Sequence, residues 1–415
     1  MLSQKTIDII KSTVPVLEVK GTEITKVFYK NLFTNHPELL NVFNHTNQQQ
    51  GRQQTALANT VLAAAQNIDK LATIIPVVKQ IAQKHRSLQV KPEHYPIVGQ
   101  HLLGAIKEVL GDVATDEILG AWAEAYGIIA QVFIDIEKEM YEEAASQQGG
   151  WSEFKEFKII KKVEESDVIT SFYLVPKDGS SVPTFLPGQY ITVRSQIPGE
   201  EYLSNRQYSL SDAPGKKHFR ISVKKEAEEN QPLGKFSNYL HNQVNVGDTI
   251  EITAPAGEFT LNTENNSDVV FLSGGVGITP LISMAKSIAS NQPNRQVSFV
   301  SASRNGKLQA FENELDQLKE QLTNYNLSFV YENPSEEDVQ NNNNFKKQGY
   351  IDAEWLNNNV KSDNADYYVC GPVPFLKVII TSLKELGIKD TQIHYEFFGP
   401  AMNLDTEPKS PIHQG

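Results

Sequence analysis

The spacing of apolar residues changes abruptly at Gly149-Gly150, and this change requires a chain with more than one kind of architecture. Before the glycine pair, apolar residues recur every three or four positions, as on the buried face of an amphipathic helix. After it, the stretch 154–160 alternates apolar and polar residues, as in a half-buried strand. The sequence therefore predicts an all-α domain over residues 1–148 and a β-containing region after it.

The β-containing region itself divides into two parts. From 149 to 262, short alternating runs are separated by turn signals, which predicts an antiparallel β-barrel. From 263 to 403, strand-like apolar runs alternate with helical stretches, including one predicted over 307–322, which indicates an α/β domain with a parallel sheet. A chain of 415 residues has room for three such domains. The polar segment 404–415 is predicted to be a disordered tail.

Capping residues and prolines mark the predicted helix boundaries in the all-α part. We expect helices to start near Asp8 and Thr22, because short polar side chains favour the first position of a helix. Pro37, Pro92 and Pro96 are expected to interrupt the helical pattern.

A histidine on an apolar stripe is a candidate metal ligand in this helical part. His85 shares a helix face with Ile81 and Leu88, so its imidazole is expected to point inwards. Such a histidine is more often a hydrogen-bonded core residue than an iron ligand. The residues alone leave four other candidates for ligation: His36, His45, His94 and His101.

The helical part resembles the globin domain of the flavohaemoglobins in many short motifs. These are Phe28-Tyr29, Pro37-Glu38-Leu39, Val42-Phe43-Asn44, Asn47-Gln48, Gln53, Ala56-Leu57, Ala82-Gln83-Lys84-His85, Lys91-Pro92-Glu93, Tyr95, Ile97-Val98-Gly99 and Ala125-Tyr126-Gly127. The resemblance implies that haem b is bound and that His85 is the proximal iron ligand. It also implies a distal pocket formed by Tyr29, Gln53 and Leu57, with Phe43 packed on the porphyrin.

The same resemblance implies that a tyrosine and a glutamate surround the proximal imidazole, and these fall on Tyr95 and Glu137. A carboxylate that accepts the far N–H of the histidine makes the ring a stronger donor to iron and fixes its orientation. The alignment of the last helix leaves Asp135 and Glu139 as alternatives to Glu137.

The stretch Arg206-Gln207-Tyr208-Ser209 places a cation, a phenol and a hydroxyl on a predicted strand. Arg206 and Tyr208 share a face, which suits a flavin diphosphate and isoalloxazine. Together with Pro187-Gly188-Gln189-Tyr190 and Gly234-Lys235-Phe236-Ser237, this stretch resembles the FAD domain of the ferredoxin reductase superfamily. The resemblance implies FAD contacts by Tyr190, Arg206, Gln207, Tyr208, Ser209 and Ser237, with Ser237 near the start of a short helix whose free N–H groups receive the diphosphate.

A glycine-rich turn follows the buried run 269–273 and leads into a predicted helix over 281–290. Glycines let the backbone approach a phosphate closely, although Pro280 departs from the usual dinucleotide fingerprint. This variant resembles the nicotinamide domain of the same superfamily. The expected NAD(P) contacts are Gly274, Gly275, Val276, Gly277, Ile278, Thr279, Pro280, Arg304, Cys370, Gly371 and Pro372. Arg304 is either a partner for a 2′-phosphate or a solvated loop residue, so both NADH and NADPH are expected to be accepted.

The closing motif Glu396-Phe397-Phe398-Gly399-Pro400 also matches the family. The match implies that Phe398 covers the flavin until the nicotinamide displaces it. Many relatives carry a cysteine where this chain has Phe397, so the contacts at that position are left open.

Composition restricts the partners and the compartment. A net charge of -12 argues against nucleic acid or an anionic membrane as a main partner. The single cysteine, Cys370, excludes an internal disulfide and fits a reducing cytoplasm. We see no apolar run approaching the ~18 residues of a membrane span and no signal peptide, so a cytoplasmic monomer is expected.

The flavohaemoglobin resemblance implies an NAD(P)H-dependent nitric oxide dioxygenase. Electrons would pass from NAD(P)H to FAD and then to haem, where nitric oxide reacts with haem-bound O2 to give nitrate. Two alternatives remain open: a haem-dependent peroxide or lipid hydroperoxide reductase, and an oxygen or nitric oxide binding and sensing protein. The reductase part counts against pure sensing, because a sensor needs no attached hydride donor.

Overall fold

A computed structural model describes residues 2–43, 51–227 and 234–399, with Asn341 described in its backbone alone. The predicted tail, His45 and the Asn47-Gln48 match lie outside the described residues. The helical part consists of α1 (Gln4–Ser12), α2 (Val14–Asn35), α3 (Arg52–Gln66), α4 (Ile75–Ser87), α5 (His94–Leu110) and α6 (Asp116–Ser146), with 3-10 turns at Pro37–Asn41, Leu71–Ile74 and Gly111–Val113.

The predicted helix starts at Asp8 and Thr22 are wrong, because both residues lie inside helices. Helix α1 begins instead after Ser3, whose hydroxyl accepts the Thr6 N–H at 3.1 Å. Helix α2 follows it after a single residue, Thr13. Capping propensity alone did not distinguish a residue at a helix start from one on an exposed helix face.

The predicted proline breaks are only partly correct. Pro37 and Pro92 lie between helices, but Pro96 is the third residue of α5. A proline is tolerated there because the first N–H groups of a helix have no partner within the helix.

Helix α6 is long and apolar enough to cross a membrane by length and composition, contrary to our expectation that no run approaches that size. One such helix is weak evidence for a span, since a core helix of a globular domain passes the same test. Helix α6 packs against α1, α4 and α5 and buries Ala125, Phe133 and Glu137. It is therefore packed into the helical part through this buried face.

The middle part is an antiparallel barrel, as predicted. Its strands are β1 (Lys155–Glu164), β2 (Ile169–Pro176), β3 (Tyr190–Ser195), β4 (Ser204–Ser209), β5 (Phe219–Lys224) and β6 (Thr249–Ile252), in the order β4-β3-β6-β1-β2-β5. The sheet closes where the Ser211 N–H donates to Arg220 O at 2.8 Å. Helix α7 (Lys235–Asn242) covers one end, with Phe236 and Leu240 in the barrel core.

The last part is a six-stranded parallel sheet with helices on both faces, as predicted. Its strands are β7 (Asp268–Gly274), β8 (Val297–Ser303), β9 (Tyr325–Tyr331), β10 (Phe345–Gln348), β11 (Ala365–Cys370) and β12 (Ile393–Glu396), in the order β10-β9-β8-β7-β11-β12. Its helices are α8 (Ile278–Asn291), α9 (Glu312–Gln317), α10 (Glu336–Asn341), α11 (Ala353–Asn359) and α12 (Val373–Glu385), with 3-10 turns at Gly275–Gly277, Gly306–Leu308, Leu318–Glu320 and Asp390–Gln392.

The predicted helix over 307–322 is wrong, because the stretch is broken into a 3-10 turn, α9 and a second 3-10 turn. The break falls at Phe311, whose φ is 60°, in the left-handed region that an α-helix does not contain. The side chain of Phe311 is buried in the core beneath the sheet, and this packing compensates for the strained backbone.

Candidate active site

The proximal group consists of three side chains from three helices. His85 lies in the last turn of α4, and its Nδ1 is 2.8 Å from Glu137 Oε1 on α6 and 3.2 Å from the Tyr95 hydroxyl on α5. The Tyr95 hydroxyl donates to the same carboxylate oxygen at 2.6 Å. Because Nδ1–H is donated to the carboxylate, the Nε2 lone pair is the one that can bind a metal.

The structure selects Glu137 from the three acids that the sequence left open. Glu137 is 3% exposed, whereas Asp135 and Glu139 lie on the exposed face of α6. Burial and the neighbouring carboxylate raise the pKa of Tyr95 well above its usual range, so its hydroxyl stays protonated and remains a donor.

Three other histidines are engaged with protein groups. His36 Nδ1 lies 3.0 Å from Glu38, and His101 Nδ1 bonds to the carbonyl of Ile97 at 2.8 Å. His94 accepts the N–H of Lys91 at 3.1 Å. His85 thus combines a buried carboxylate partner with a ring nitrogen suited to iron, and we favour it over these three.

The distal candidates lie on α2 and α3. Tyr29 is 6% exposed, and its ring centroid is 5.7 Å from that of Phe33 and 5.9 Å from that of Phe43. Burial raises the pKa of Tyr29 well above its usual range, and a hydrogen bond with Gln53 opposes this only in part. Tyr29 is therefore a neutral phenol that can donate a hydrogen bond.

These residues fit a haem by their chemistry. The imidazole of His85 is oriented by an anionic acceptor, as is usual for histidine ligands of metals. Phe43 and Leu57, one turn after Gln53 on α3, are partly buried apolar groups suited to a porphyrin. We therefore assign haem binding to the helical part.

The proposed flavin strand is β4. It pairs with β3 so that Ser209 lies opposite Tyr190 and Arg206 opposite Val193. Burial lowers the pKa of the Arg206 guanidinium and raises that of the Tyr208 phenol. Arg206 is half-buried and its Nη1 donates to the carbonyl of Asn205 at 2.8 Å, and a guanidinium can also bind a diphosphate in a bidentate way.

Two glycines allow close packing around the same strand. A Cβ on Gly257, whose φ is +117°, would lie 2.9 Å from the Tyr190 ring. A Cβ on Gly234, at the start of α7, would lie 2.7 Å from Ser237 Oγ. The Ser237 hydroxyl itself donates to Gly234 O at 3.0 Å, so the free donors at this end of α7 are backbone N–H groups.

The two remaining FAD candidates lie in different surroundings. Gln207 Nε2 donates to Ser87 Oγ on α4 at 2.8 Å, so this side chain faces the helical part. Phe398 is 44% exposed. Phe397, whose contacts the sequence left open, packs against the core on the face of the parallel sheet opposite to the core that holds Phe311.

The glycine-rich turn joins β7 to α8, as expected for a nucleotide site in a parallel sheet. A Cβ on Gly277 would lie 2.2 Å from the carbonyl oxygen of Cys370, and one on Gly371 would lie 3.1 Å from Gly274. The turn therefore packs directly on the end of β11, where Cys370, Gly371 and Pro372 lie. Thr279 Oγ1 donates to Val276 O at 3.0 Å and holds the turn.

Two further nucleotide candidates lie at the same edge of the sheet. Burial raises the pKa of the Cys370 thiol well above its usual range, so it remains a neutral thiol. Arg304 directly follows β8 and is partly exposed.

The helix that carries His85 also contacts the barrel and the closing motif, which the sequence did not reveal. Gln83 Nε2 donates to Glu258 at 2.8 Å, and Arg86 donates to Pro255 O at 2.5 Å. Lys84 Nζ donates at 2.7 Å to the carbonyl of Gly399, next to Phe398. The only indication of these contacts in the sequence was a run of polar residues, 83–87, beside the apolar stripe of the helix.

Comparisons with known proteins agree with this architecture. Three family models match in order: globin over residues 26–133, oxidoreductase FAD-binding domain over 156–261 and oxidoreductase NAD-binding domain over 271–380. A Bacillus cereus flavohemoprotein is 56% identical over 97% of this chain and its own full length. A Bacillus subtilis flavohemoprotein is 52% identical over 97% of this chain and 99% of its own.

Solved structures extend the similarity. A flavohemoglobin from Malassezia yamatoensis with bound FAD and haem covers 96% of this chain and all of its own, with a TM-score of 0.84 and 27% identity. The FAD/NAD-binding domain of a nitric oxide dioxygenase from Vibrio cholerae covers 59% of this chain and 99% of its own, with a TM-score of 0.53 and 34% identity.

The fold and the sites define a globin joined to a flavin-dependent nicotinamide reductase. Such a protein is an oxidoreductase that uses haem, FAD and NAD(P)H. The chain belongs to the flavohemoprotein family.

Proposed function

We propose that this oxidoreductase is a nitric oxide dioxygenase, which converts nitric oxide and O2 to nitrate at the expense of NAD(P)H. When bound, nicotinamide, FAD and haem supply a hydride donor, a converter of two-electron into one-electron transfer, and an iron centre for the two gases. Each nitrate formed requires one electron beyond those of nitric oxide and O2, so one NAD(P)H supports two nitrates. The role is the detoxification of nitric oxide.

The observation that carries the proposal is the carboxylate on the proximal histidine. Glu137 accepts Nδ1–H of His85 at 2.8 Å and also accepts the Tyr95 hydroxyl. A buried anion at this position increases the electron donation of the imidazole, which favours oxygen activation over reversible carriage. Simple oxygen storage needs neither this carboxylate nor a reductase.

The distal side chains supply a hydrogen bond to a ligand that gains negative charge. Tyr29 is neutral because burial raises the pKa of its phenol, and Gln53 lies within hydrogen-bonding reach of it. A preorganised donor in an apolar pocket stabilises developing charge more than water does. We assign Tyr29 as the principal donor and Gln53 as its support, with Leu57 and Phe43 excluding water.

The reductase parts supply the electrons. We assign Arg206, Tyr208 and Ser209 on β4, with Tyr190 on β3, to FAD, and the turn from Gly274 to Pro280 to the nucleotide diphosphate. The contacts of Gln83, Lys84 and Arg86 hold the His85 helix against the flavin barrel and the closing motif. This packing supports a direct electron path between the two cofactors.

Anaerobic addition of NADH or NADPH to the haem- and FAD-loaded protein is the first test. We expect bleaching of the flavin, and then a ferrous carbonyl haem band after carbon monoxide is added. The second test measures nitrate and NAD(P)H in the presence of nitric oxide and O2, with two nitrates expected per NAD(P)H. Rapid NAD(P)H oxidation with an alkyl hydroperoxide, but none with nitric oxide, would favour the peroxidase alternative.

The proposal includes a monomer in the cytoplasm, without stable membrane association or a nucleic acid partner. The net charge of -12 disfavours binding to phosphate-rich surfaces. Analytical ultracentrifugation and cell fractionation test these points directly, and recovery in the membrane fraction after a salt wash would contradict them.

A further inference from the structure

Four charged side chains from two parts of the chain meet in one cluster that sequence reasoning missed. Arg220 on β5 and Asp212, just after β4, come from the barrel, whereas Lys286 on α8 and Glu314 on α9 come from the parallel-sheet part. Lys286 Nζ lies 2.5 Å from Asp212 Oδ1 and 2.8 Å from Glu314 Oε2. Arg220 Nη1 lies 2.5 Å from Glu314 Oε1. We call these four residues the interdomain cluster.

Arg220 is the most deeply buried member of the interdomain cluster. The Arg220 side chain is 1% exposed and donates from Nε to Ser211 Oγ at 3.1 Å. Its guanidinium lies 4.9 Å from the centroid of the Phe311 ring. Burial alone would raise the pKa of Asp212, but His218, Arg220 and Lys286 together hold it well below its usual range. Removal of one partner would leave a buried charge uncompensated.

Asp212 places the interdomain cluster between the proposed flavin strand and the helix that follows the glycine-rich turn. Asp212 lies three residues after Ser209, the last residue of the proposed flavin strand. Its carbonyl accepts the Ser283 hydroxyl at 2.7 Å, and its carboxylate binds Lys286. Ser283 and Lys286 are about one turn apart on α8, the helix that starts at the glycine-rich turn. One residue therefore connects the flavin strand to the nucleotide helix at two points.

We propose that Asp212 and Lys286 are positioning residues for hydride transfer, because they fix the nucleotide turn at a set distance from the flavin strand. Hydride transfer breaks the C4–H bond of the dihydronicotinamide and forms an N–H bond on the flavin, so that one is oxidised as the other is reduced. The reacting atoms must approach to about 3–3.5 Å, and a misplacement of about 1 Å can cost on the order of 100-fold in rate. The inference rests on the proposed flavin and nucleotide sites and is independent of nitric oxide as substrate.

The test uses the full-length, cofactor-loaded protein and four variants. Asp212→Asn and Lys286→Met each remove the ion pair, and Lys286→Arg preserves the charge. Lys384→Met is the matched control, since Lys384 lies on α12 in the parallel-sheet part and forms an exposed ion pair with Asp390 of the same part. Anaerobic stopped-flow absorbance measures the limiting rate of flavin reduction by NADH per bound FAD, together with the Kd of NADH. Hydrogen exchange of the α8 amides, measured without nucleotide, provides a readout that does not depend on turnover.

We expect Asp212→Asn and Lys286→Met to lower the limiting rate by about tenfold to 100-fold, with less than about a threefold change in Kd. Exchange in α8 should be faster in both variants, and Lys286→Arg and Lys384→Met should resemble the parent protein. Parent-like rates per bound FAD in Asp212→Asn and Lys286→Met would overturn the proposal, whatever their melting temperatures. If Asp212→Asn fails to fold, the comparison of Lys286→Met with Lys286→Arg decides the question. Failure of the nitric oxide assay with normal flavin reduction would overturn the proposed function alone.

Discussion

Glu137 Oε1 lies 2.8 Å from His85 Nδ1, although the two residues are on different helices and 52 positions apart in the chain. The same oxygen accepts the Tyr95 hydroxyl at 2.6 Å, so a third helix takes part. With Nδ1 directed at Glu137, Nε2 is the imidazole nitrogen that is left for the proposed bond to iron.

We predict that Glu137→Gln raises the haem reduction potential. A neutral amide in place of the carboxylate makes His85 a weaker donor, and a weaker donor stabilises ferric iron less. Each tenfold loss in preference for ferric iron corresponds to about 60 mV for a one-electron couple. We expect a rise of that order in an anaerobic redox titration followed by the haem absorbance. Glu139→Gln, on the exposed face of the same helix, is the control and should leave the potential unchanged.

Tyr29→Phe should release O2 faster and weaken nitric oxide turnover. The loss of one hydrogen bond to a ligand with anionic character costs about 1.5–3 kcal/mol, or about tenfold to 150-fold in the dissociation rate. Flash photolysis or stopped-flow displacement of O2 measures this rate. Carbon monoxide dissociation is the control, since that ligand gains little negative charge and should change far less. An O2 dissociation rate equal to that of the parent would remove Tyr29 from the distal role.

Arg304→Ala should discriminate between the nucleotides. If the guanidinium meets a 2′-phosphate, its loss should raise the KM for NADPH by about tenfold and leave the KM for NADH nearly unchanged. Steady-state reduction of an artificial acceptor with each nucleotide provides the measurement. No change with either nucleotide would show that Arg304 is a solvated loop residue, and an equal rise for both would indicate a contact with a part of the nucleotide that NADH and NADPH share.

The thiol of Cys370 should resist alkylation in the native protein. The side chain is fully buried, and burial raises its pKa well above the usual range, so little thiolate exists at pH 8. Mass spectrometry after treatment with iodoacetamide should show no adduct until urea unfolds the chain. Rapid native labelling would contradict the packing of β11 against the glycine-rich turn.

Glu165→Gln should stabilise the barrel at neutral pH. One carboxylate oxygen of Glu165 is buried without a hydrogen-bond partner in the described residues, and burial raises its pKa above the ordinary 4.5. The folded state therefore binds this proton more tightly than the unfolded state, and the free energy of unfolding falls as pH rises from 4.5 through the raised pKa.

The neutral glutamine removes this pH-dependent penalty. We expect the melting temperature of the part that contains the barrel to rise by on the order of 1–2 °C at pH 7. The difference between the variant and the parent should vanish below the ordinary pKa of glutamate. Differential scanning calorimetry across pH 4–7 measures it, with Glu164→Gln at the neighbouring exposed position as control. A variant that is destabilised equally at every pH would indicate a packing defect instead.

The sequence was most informative where local pattern decides structure. The stretch Arg206-Gln207-Tyr208-Ser209, which was predicted to lie on a strand, forms the end of β4. The glycine-rich turn was equally predictable, because only glycine permits the close approach of Gly277 to Cys370.

The structure could not be predicted from the sequence where it depends on contacts between residues that are distant in the chain. The break at Phe311 depends on burial of its ring beneath the sheet, which no helical period reveals. The ion pair of the interdomain cluster between Arg220 and Glu314 joins residues 94 positions apart, so the only local indication of the cluster in the sequence was an arginine within the strand 219–224. The choice of Glu137 over Asp135 likewise required the packing of α6 against α4.

Helix α4 contacts two parts of the protein. Its His85 bonds to Glu137 within the helical part, while Gln83, Lys84 and Arg86 contact the barrel and the closing motif. For domain exchange, this means that a junction at Gly149-Gly150 is insufficient. A single-domain globin grafted onto this reductase would also need the polar residues of 83–87 to dock correctly, and a graft without them would bind its haem but receive electrons poorly.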